Sequence, residues 1–226
     1  MSTVHVDAVE IDLPAVGRLG ADLAVVAPRG PLVVFAHGSG SSRHSPRNQA
    51  VARRLHADGF GTLLLDLLTE AEDALERGGG RLRFDVDRLA DRLVGAVGWL
   101  DARPEPRPEV IGYFGASTGA AAALVAAARQ GDRIAAIVSR GGRPDLAGDA
   151  LPLVTAPTLL IVGGRDREVL ELNERASRRM HCEHRLEVVD GATHLFEEPG
   201  TLETASELAA GWFARHLLGL ADRDSG

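Results

Sequence analysis

Residues 110–128 read VIGYFGASTGAAAALVAAA, and the character of the chain changes twice within them. Positions 110–114 are a near-continuous apolar run of strand-forming residues, Gly115-Ala116-Ser117-Thr118-Gly119 is a turn of small residues, and the alanine-rich tail has high helix propensity. A strand that enters a tight turn and leaves as a helix is half of a βαβ unit, so the same alternation is expected on either side. Further apolar runs stand at 32–36, 60–65, 134–138, 158–162 and 186–189, with helix-like stretches at 46–57, 84–100, 118–129, 168–180 and 202–217. Runs without polar alternation are what strands buried on both faces of a parallel sheet require. In the last helical stretch Leu202, Ala205, Leu208, Ala209, Trp212, Phe213, His216 and Leu217 fall close to one stripe, which is expected to pack on the sheet.

The first two segments, 4–13 and 19–27, alternate apolar with polar and are expected to form an antiparallel pair at one edge of the sheet. The whole points to an α/β chain with a doubly wound, mostly parallel sheet, organised as a single domain over residues 1–226, with sites at the carboxyl ends of the strands. Residues 69–83, acidic and then glycine-rich at Gly78-Gly79-Gly80, are expected to be a mobile loop. Residues 139–157 carry Gly141, Gly142, Pro144, Pro152 and Pro157, which leaves little room for a large cap domain.

Composition narrows the function classes. Apolar residues make up 45% and charged residues 25% of the 226, an ordinary globular balance, and the net charge of −7 comes without a basic run. A negative surface repels nucleic acid and anionic membranes, so neither is expected as a partner. No apolar stretch of leader length opens the chain, and the one cysteine, Cys182, excludes an internal disulfide and a thiolate zinc cluster. A cytoplasmic protein with no metal and no cofactor is the expectation. The oligomeric state is not legible.

The turn at 115–119 has the G-x-S-x-G pattern, in which a serine on a strained strand-to-helix turn projects its hydroxyl clear of the sheet, with the helix N-terminus aimed at developing negative charge. Alone the pattern is weak, since small residues are common before any helix. A dinucleotide or phosphate loop fits less well, because the spacing of Gly112, Gly115 and Gly119 matches neither motif and no Lys follows. Two later strands run into Gly163-Gly164-Arg165-Asp166 and Asp190-Gly191-Ala192-Thr193-His194, on the same expected sheet edge as Ser117. Ser117 as nucleophile, His194 as general base and Asp166 as the group that orients the imidazole make up a Ser-His-Asp set in the chain order Ser, Asp, His. Asp166 serves equally well as a helix N-cap, and His194 taken alone is an ordinary histidine; position decides for both. The loop His37-Gly38-Ser39-Gly40-Ser41-Ser42 is placed to supply one oxyanion-hole amide. Ser39 N–H and Thr118 N–H are the candidates, with Gly40 as fallback, and His37 is read as loop support.

Taken together, HGSGSS, FGASTGA, VGGRD and GATHLFEEPG resemble the dienelactone-hydrolase-like branch of the α/β-hydrolases. More narrowly, HGSGSSRHSPRN, VSRGGRPDL and THLFEEPG are similar to small hydrolase domains sometimes fused to a phosphoribosyltransferase domain. The resemblance covers nearly the whole chain. It implies the α/β-hydrolase fold, the triad Ser117, Asp166 and His194, and cleavage of a small-molecule ester or lactone. One departure is visible: the dienelactone hydrolases proper carry a cysteine nucleophile, and here the elbow holds serine. Arg43, Arg140, Arg143 and Arg165 sit in the loops of the same chemistry and offer guanidinium forks for a substrate carboxylate, or equally for Asp145, Asp166, Glu197 or Glu198 as loop braces. The triad alone does not choose between hydrolysis and acyl transfer, thioester or peptide cleavage, and a non-catalytic binding module of this fold is the reading from another class.

Overall fold

Alternation at the N-terminus builds a hairpin: β1 (Val6–Leu13) and β2 (Gly17–Ala24) pair antiparallel, with Ile11, Leu13, Leu19 and Leu23 turned inward. The apolar runs form β3 (Leu32–Ala36), β4 (Gly61–Leu65), β5 (Ile111–Ala116), β6 (Ile134–Arg140), β7 (Thr158–Gly163) and β8 (His184–Val189). In this computed structural model, which describes residues 4–76 and 81–218, the eight strands make one sheet in the order β1-β2-β4-β3-β5-β6-β7-β8. The hairpin joins antiparallel through β2 and β4, and every later pairing is parallel.

The period of two along each strand divides the core into two layers. Leu32, Val34 and Ala36 of β3 and Ile111 and Tyr113 of β5 face α3 (Val86–Asp101) and α4 (Thr118–Gln130). Val33, Phe35 and Phe114 face α1 (Pro46–Ala57) and α6 (Thr201–Phe213) instead. The residues of α4 from Thr118 to Ala127 are all buried, and its alanines let the helix lie close over β3 and β5. A Cβ at Gly119 would lie 2.3 Å from the Ala36 carbonyl oxygen, and one at Gly115 would lie 2.4 Å from Ala120 Cα, so both glycines of the serine turn are required by close approach.

Two stretches differ from expectation or sharpen it. Residues 69–83 are not a simple loop: α2 (Glu70–Glu76) forms there, followed by a 3₁₀ turn at Leu82–Phe84. The cause is a capping box. Thr69 N–H donates to Glu72 Oε2 at 2.9 Å, and Glu72 N–H donates to Thr69 Oγ1 at 3.2 Å. Gly78, Gly79 and Gly80 lie outside the described residues. Residues 139–157 contain a 3₁₀ segment, Pro144–Leu153, kinked at Gly148 and packed beside α4, with no cap domain. The remaining helix, α5 (Arg167–Ser177), follows β7. No helix among the described residues is long and apolar enough to cross a membrane.

Candidate active site

Ser117 leaves β5 with φ 51° and ψ −122°, a left-handed conformation that a residue with a Cβ adopts at a cost of about 1–3 kcal/mol. Neighbouring backbone holds it there: Ser117 N–H donates to the Arg140 carbonyl at 3.3 Å, and its own carbonyl accepts from Ala120 N–H and Arg143 N–H, each at 3.1 Å. Its side chain opens into a cleft of about 360 Å³ shared with Gly38, Ser39, Gly40, Arg140 and His194.

Asp166 and His194 come from the ends of β7 and β8. Asp166 occupies the N-cap position of α5, yet its carboxylate makes no cap bond. It accepts a hydrogen bond from His194 Nδ1 at 2.6 Å, which places the ring proton on Nδ1 and leaves the Nε2 lone pair free. The two loops are locked together: Arg165 N–H donates to the Ala192 carbonyl at 2.9 Å, and a Cβ on Gly163 would lie 2.5 Å from that same oxygen. Thr193 N–H donates to Glu198 Oε2 at 3.0 Å, and this bond draws the Glu198 carboxyl below its ordinary range. Phe196, also at positive φ, tucks its ring into the core and anchors the histidine loop.

The glycine- and serine-rich loop is held by His37. Its Nε2 accepts from Leu67 N–H at 3.2 Å, so Nδ1 carries the proton and donates to the Gly38 carbonyl at 2.9 Å. Burial pushes the imidazole below its ordinary pKa and keeps this neutral arrangement. Glycine at 38 lets the loop lie close to the serine, since a Cβ there would lie a tight 3.1 Å from Ser117 Cβ. Arg83, from the segment after α2, donates to the Ser39 carbonyl at 2.9 Å and fixes that peptide. Among the described residues the amides of Ser39 and Gly40 have no protein acceptor, and Thr118, first residue of α4, has no acceptor one turn back within its helix.

The arginines separate by environment. Arg43 lies outside the cleft, in salt bridges with Asp66 and with Asp22 at 3.3 Å. Arg143 closes a fork on Asp145 at 2.9 and 2.8 Å, which raises its pKa, and it meets the serine turn only through its amide. Arg165 is exposed. Arg140 alone of the four lines the cleft, buried, with a single bond from Nη2 to Asn48 Oδ1 at 3.3 Å. The sequence reading did not single out Ser45, Arg47 or Asn48, which line the same cleft from the start of α1. The available signal was Ser45-Pro46, an N-cap followed by proline at the first helical position. A larger apolar cavity of about 750 Å³, lined by Val6, Val26, Ala52 and Leu64, lies apart from these groups. Among the described residues no three His, Cys, Asp or Glu side chains are grouped to hold a metal ion.

A model described as the dienelactone hydrolase family matches residues 23–215. A Mycobacterium tuberculosis (strain ATCC 25618 / H37Rv) protein named "Putative phosphoribosyl transferase Rv0571c" is 60% identical over 192 residues, covering 85% of this chain and 42% of the relative. The chain therefore spans less than half the length of that curated relative. The crystal structure of dienelactone hydrolase from Anabaena variabilis ATCC 29413 superposes with a TM-score of 0.91 at 49% identity, over 95% of this chain and 99% of that one. Est1E from Butyrivibrio proteoclasticus, at 19% identity and a TM-score of 0.76 over 92% of this chain and 98% of its own, shares the fold.

Proposed function

Because the chain belongs to the dienelactone hydrolase family, we propose that it is a serine hydrolase that cleaves small carboxylic esters or lactones through an acyl-enzyme on Ser117. The observation that carries this reading is the 2.6 Å Asp166–His194 hydrogen bond, in a pair whose imidazole lines the cleft into which the Ser117 turn opens.

In this mechanism the Nε2 lone pair of His194 takes the Ser117 hydroxyl proton as Oγ attacks the carbonyl carbon. The negative charge that develops on the carbonyl oxygen is met by Thr118 N–H and Ser39 N–H, or Gly40 N–H in its place. Each such donor is worth about 3–4 kcal/mol in the transition state. The imidazolium, steadied by Asp166, gives its proton to the departing alkoxide, and the acyl group stays on Oγ. Water then attacks with His194 again as base, the carboxylate leaves, and Ser117 recovers its proton. A lactone follows the same course, with its alcohol still attached to the acyl chain. The cleft of about 360 Å³ suits a small acyl group. The substrate is thus a small molecule, and the reading requires neither metal nor cofactor, nor nucleic acid or membrane as partner; it is compatible with a cytoplasmic setting.

The test is hydrolysis of 4-nitrophenyl acetate, butyrate and octanoate by the wild type, Ser117→Ala and His194→Ala. The expected result is cleavage of the shorter esters and loss of rate by orders of magnitude in both variants. Equal, slow rates in all three proteins would count against the acyl-enzyme, and an active-site phosphonate that fails to label Ser117 would leave the non-catalytic binding module as the better reading. Diversion of product by added alcohols or amines would move the assignment to acyl transfer.

A further inference from the structure

Arg92 and Arg140 are the two arginines buried among the described residues, and they are treated differently. Arg92 has a carboxylate partner, Glu72 Oε1 at 2.9 Å. Arg140 has none. Its Nε and Nη1 have no hydrogen-bond partner, Nη2 reaches only the neutral Asn48 amide oxygen at 3.3 Å, and its guanidinium carbon stands 6.0 Å from the Phe114 ring centre and 5.8 Å from that of Phe196. A guanidinium cannot shed its proton near neutral pH, so burial without a counter-ion is unfavourable for the isolated protein. Burial, with the Arg47 charge nearby, pushes the Arg140 pKa down to about 10, which still leaves it charged at neutrality.

The surroundings are built for negative charge. The cleft that reaches Arg140 is walled by the N-terminal turn of α1, a 12-residue helix with Ser45 as cap and Pro46 at its start and with no acidic residue in its first turn. The positive end of that helix dipole adds to the guanidinium. Arg47, in the same turn, also lines the cleft, and among the described residues it pairs with the exposed Glu197 at 3.3 Å. Asn48, whose own amide is capped by Ser45, aims its side chain at Arg140. Ser117 and His194 line the same cleft.

We propose that Arg140, Asn48, Arg47 and the first turn of α1 form a subsite for an anionic group, a carboxylate or a phosphate, carried by the ester substrate. The missing counter-ion of Arg140 is then supplied by the substrate, and the favoured esters are negatively charged. This rests on the serine-hydrolase reading for turnover, but binding at the subsite does not.

Two measurements separate the two ideas. The first compares kcat/KM for 4-nitrophenyl hydrogen glutarate with that for its neutral isostere 4-nitrophenyl valerate, at low ionic strength. Wild type is expected to favour the anionic ester at least tenfold, and Arg140→Met to bring the ratio near one through a higher KM. The Tm of Arg140→Met is expected to equal or exceed that of wild type, since an unpaired buried cation has been removed; this separates lost recognition from lost folding, and Arg140→Lys should restore part of the ratio. The second titrates glutarate and inorganic phosphate into Ser117→Ala and into Ser117→Ala/Arg140→Met by calorimetry. Saturable binding that disappears with Arg140 supports the subsite whether or not any ester turns over, and whichever anion saturates identifies the group. A wild-type ratio near one without saturable binding of either anion overturns the proposal, as does a preference that survives Arg140→Met. Loss of Ser117-dependent turnover with anion binding intact sinks the hydrolase reading alone.

Discussion

Ser117 and Asp166 show how much chemistry depends on where one side chain is allowed to point. A serine at φ 51° stands off the sheet, and an aspartate at an N-cap position that makes no cap bond is released to meet His194. The Asp166 carboxylate can only accept, so it requires a proton on Nδ1 and so keeps the Nε2 lone pair available. Asp166→Asn removes that requirement. An amide nitrogen can donate to Nδ1, which puts the ring proton on Nε2, where it blocks uptake of the serine proton. The expected outcome is a fall in kcat on 4-nitrophenyl butyrate of about 10³–10⁴-fold with KM little changed and Tm close to wild type. A loss below tenfold would remove Asp166 from the mechanism.

At the scale of elements, the site depends on how closely α4 can lie against β3. Gly119→Ala would place a methyl 2.3 Å from the Ala36 carbonyl and 2.4 Å from that of His37, both backbone atoms that cannot rotate away. The helix must move off the strand, at a cost of about 2–3 kcal/mol and a Tm lower by about 4–12 °C. Gly98→Ala, in α3 with no atom within 4 Å of the added carbon, is the matched control and should gain up to about 1 kcal/mol from helix propensity. Calorimetric melts of the two variants read the difference; equal Tm values would mean the close approach is not limiting. A similar dependence ties the 3₁₀ turn after α2 to the loop proposed to supply an oxyanion amide, through the Arg83 bond to the Ser39 carbonyl. Arg83→Ala is expected to lower kcat by about tenfold or less, as the Ser39 peptide gains freedom without losing its amide. These elements also mark what the sequence made legible. Unbroken apolar runs located β3 to β7, which are buried on both faces, alternation located β1 and β2, and the short run at 186–189 located β8, an edge strand exposed over much of its length. The same reading put Ser117, Asp166 and His194 just beyond the ends of β5, β7 and β8. The capping box at Thr69 and Glu72 was overlooked because an acidic, glycine-rich stretch reads as loop when its reciprocal hydrogen bonds are not considered. The arginines divide for a different reason: Arg143 has its partner Asp145 two residues away in the sequence, whereas only the fold brings Asp66 and Asp22 to Arg43 and Asn48 to Arg140.

For the molecule as a whole, burial of imidazoles couples the fold to pH. His37, His56 and His216 all titrate below the ordinary histidine value of 6.5, in each case chiefly because burial disfavours the charged ring. Around His37, Asp66 and Asp73 favour the proton and Arg83 opposes it, and the net direction remains downward. An unfolded chain takes up these protons as pH falls through about 6.5, while the native state does so only at lower pH. The unfolded state therefore binds more protons in that window, and stability falls as the solution is acidified from about 6.5 down to the depressed native values. Glu72 adds a second, more acidic step: burial opposes its charge, but the Thr69 amide and Arg92 outweigh it and hold its carboxyl below 4.5, so its contribution is lost below that pH. Protonation of His37 has a local consequence too, since Nε2 would become a donor facing the Leu67 N–H and the loop bearing Ser39 would lose its anchor. The expected result is a Tm that is flat between pH 9 and 7 and drops between 6.5 and 5, with His37→Gln flattening part of that drop while lowering stability at pH 8. A Tm at pH 5.5 equal to that at pH 7.5 would show that the buried imidazoles are not held neutral by the fold.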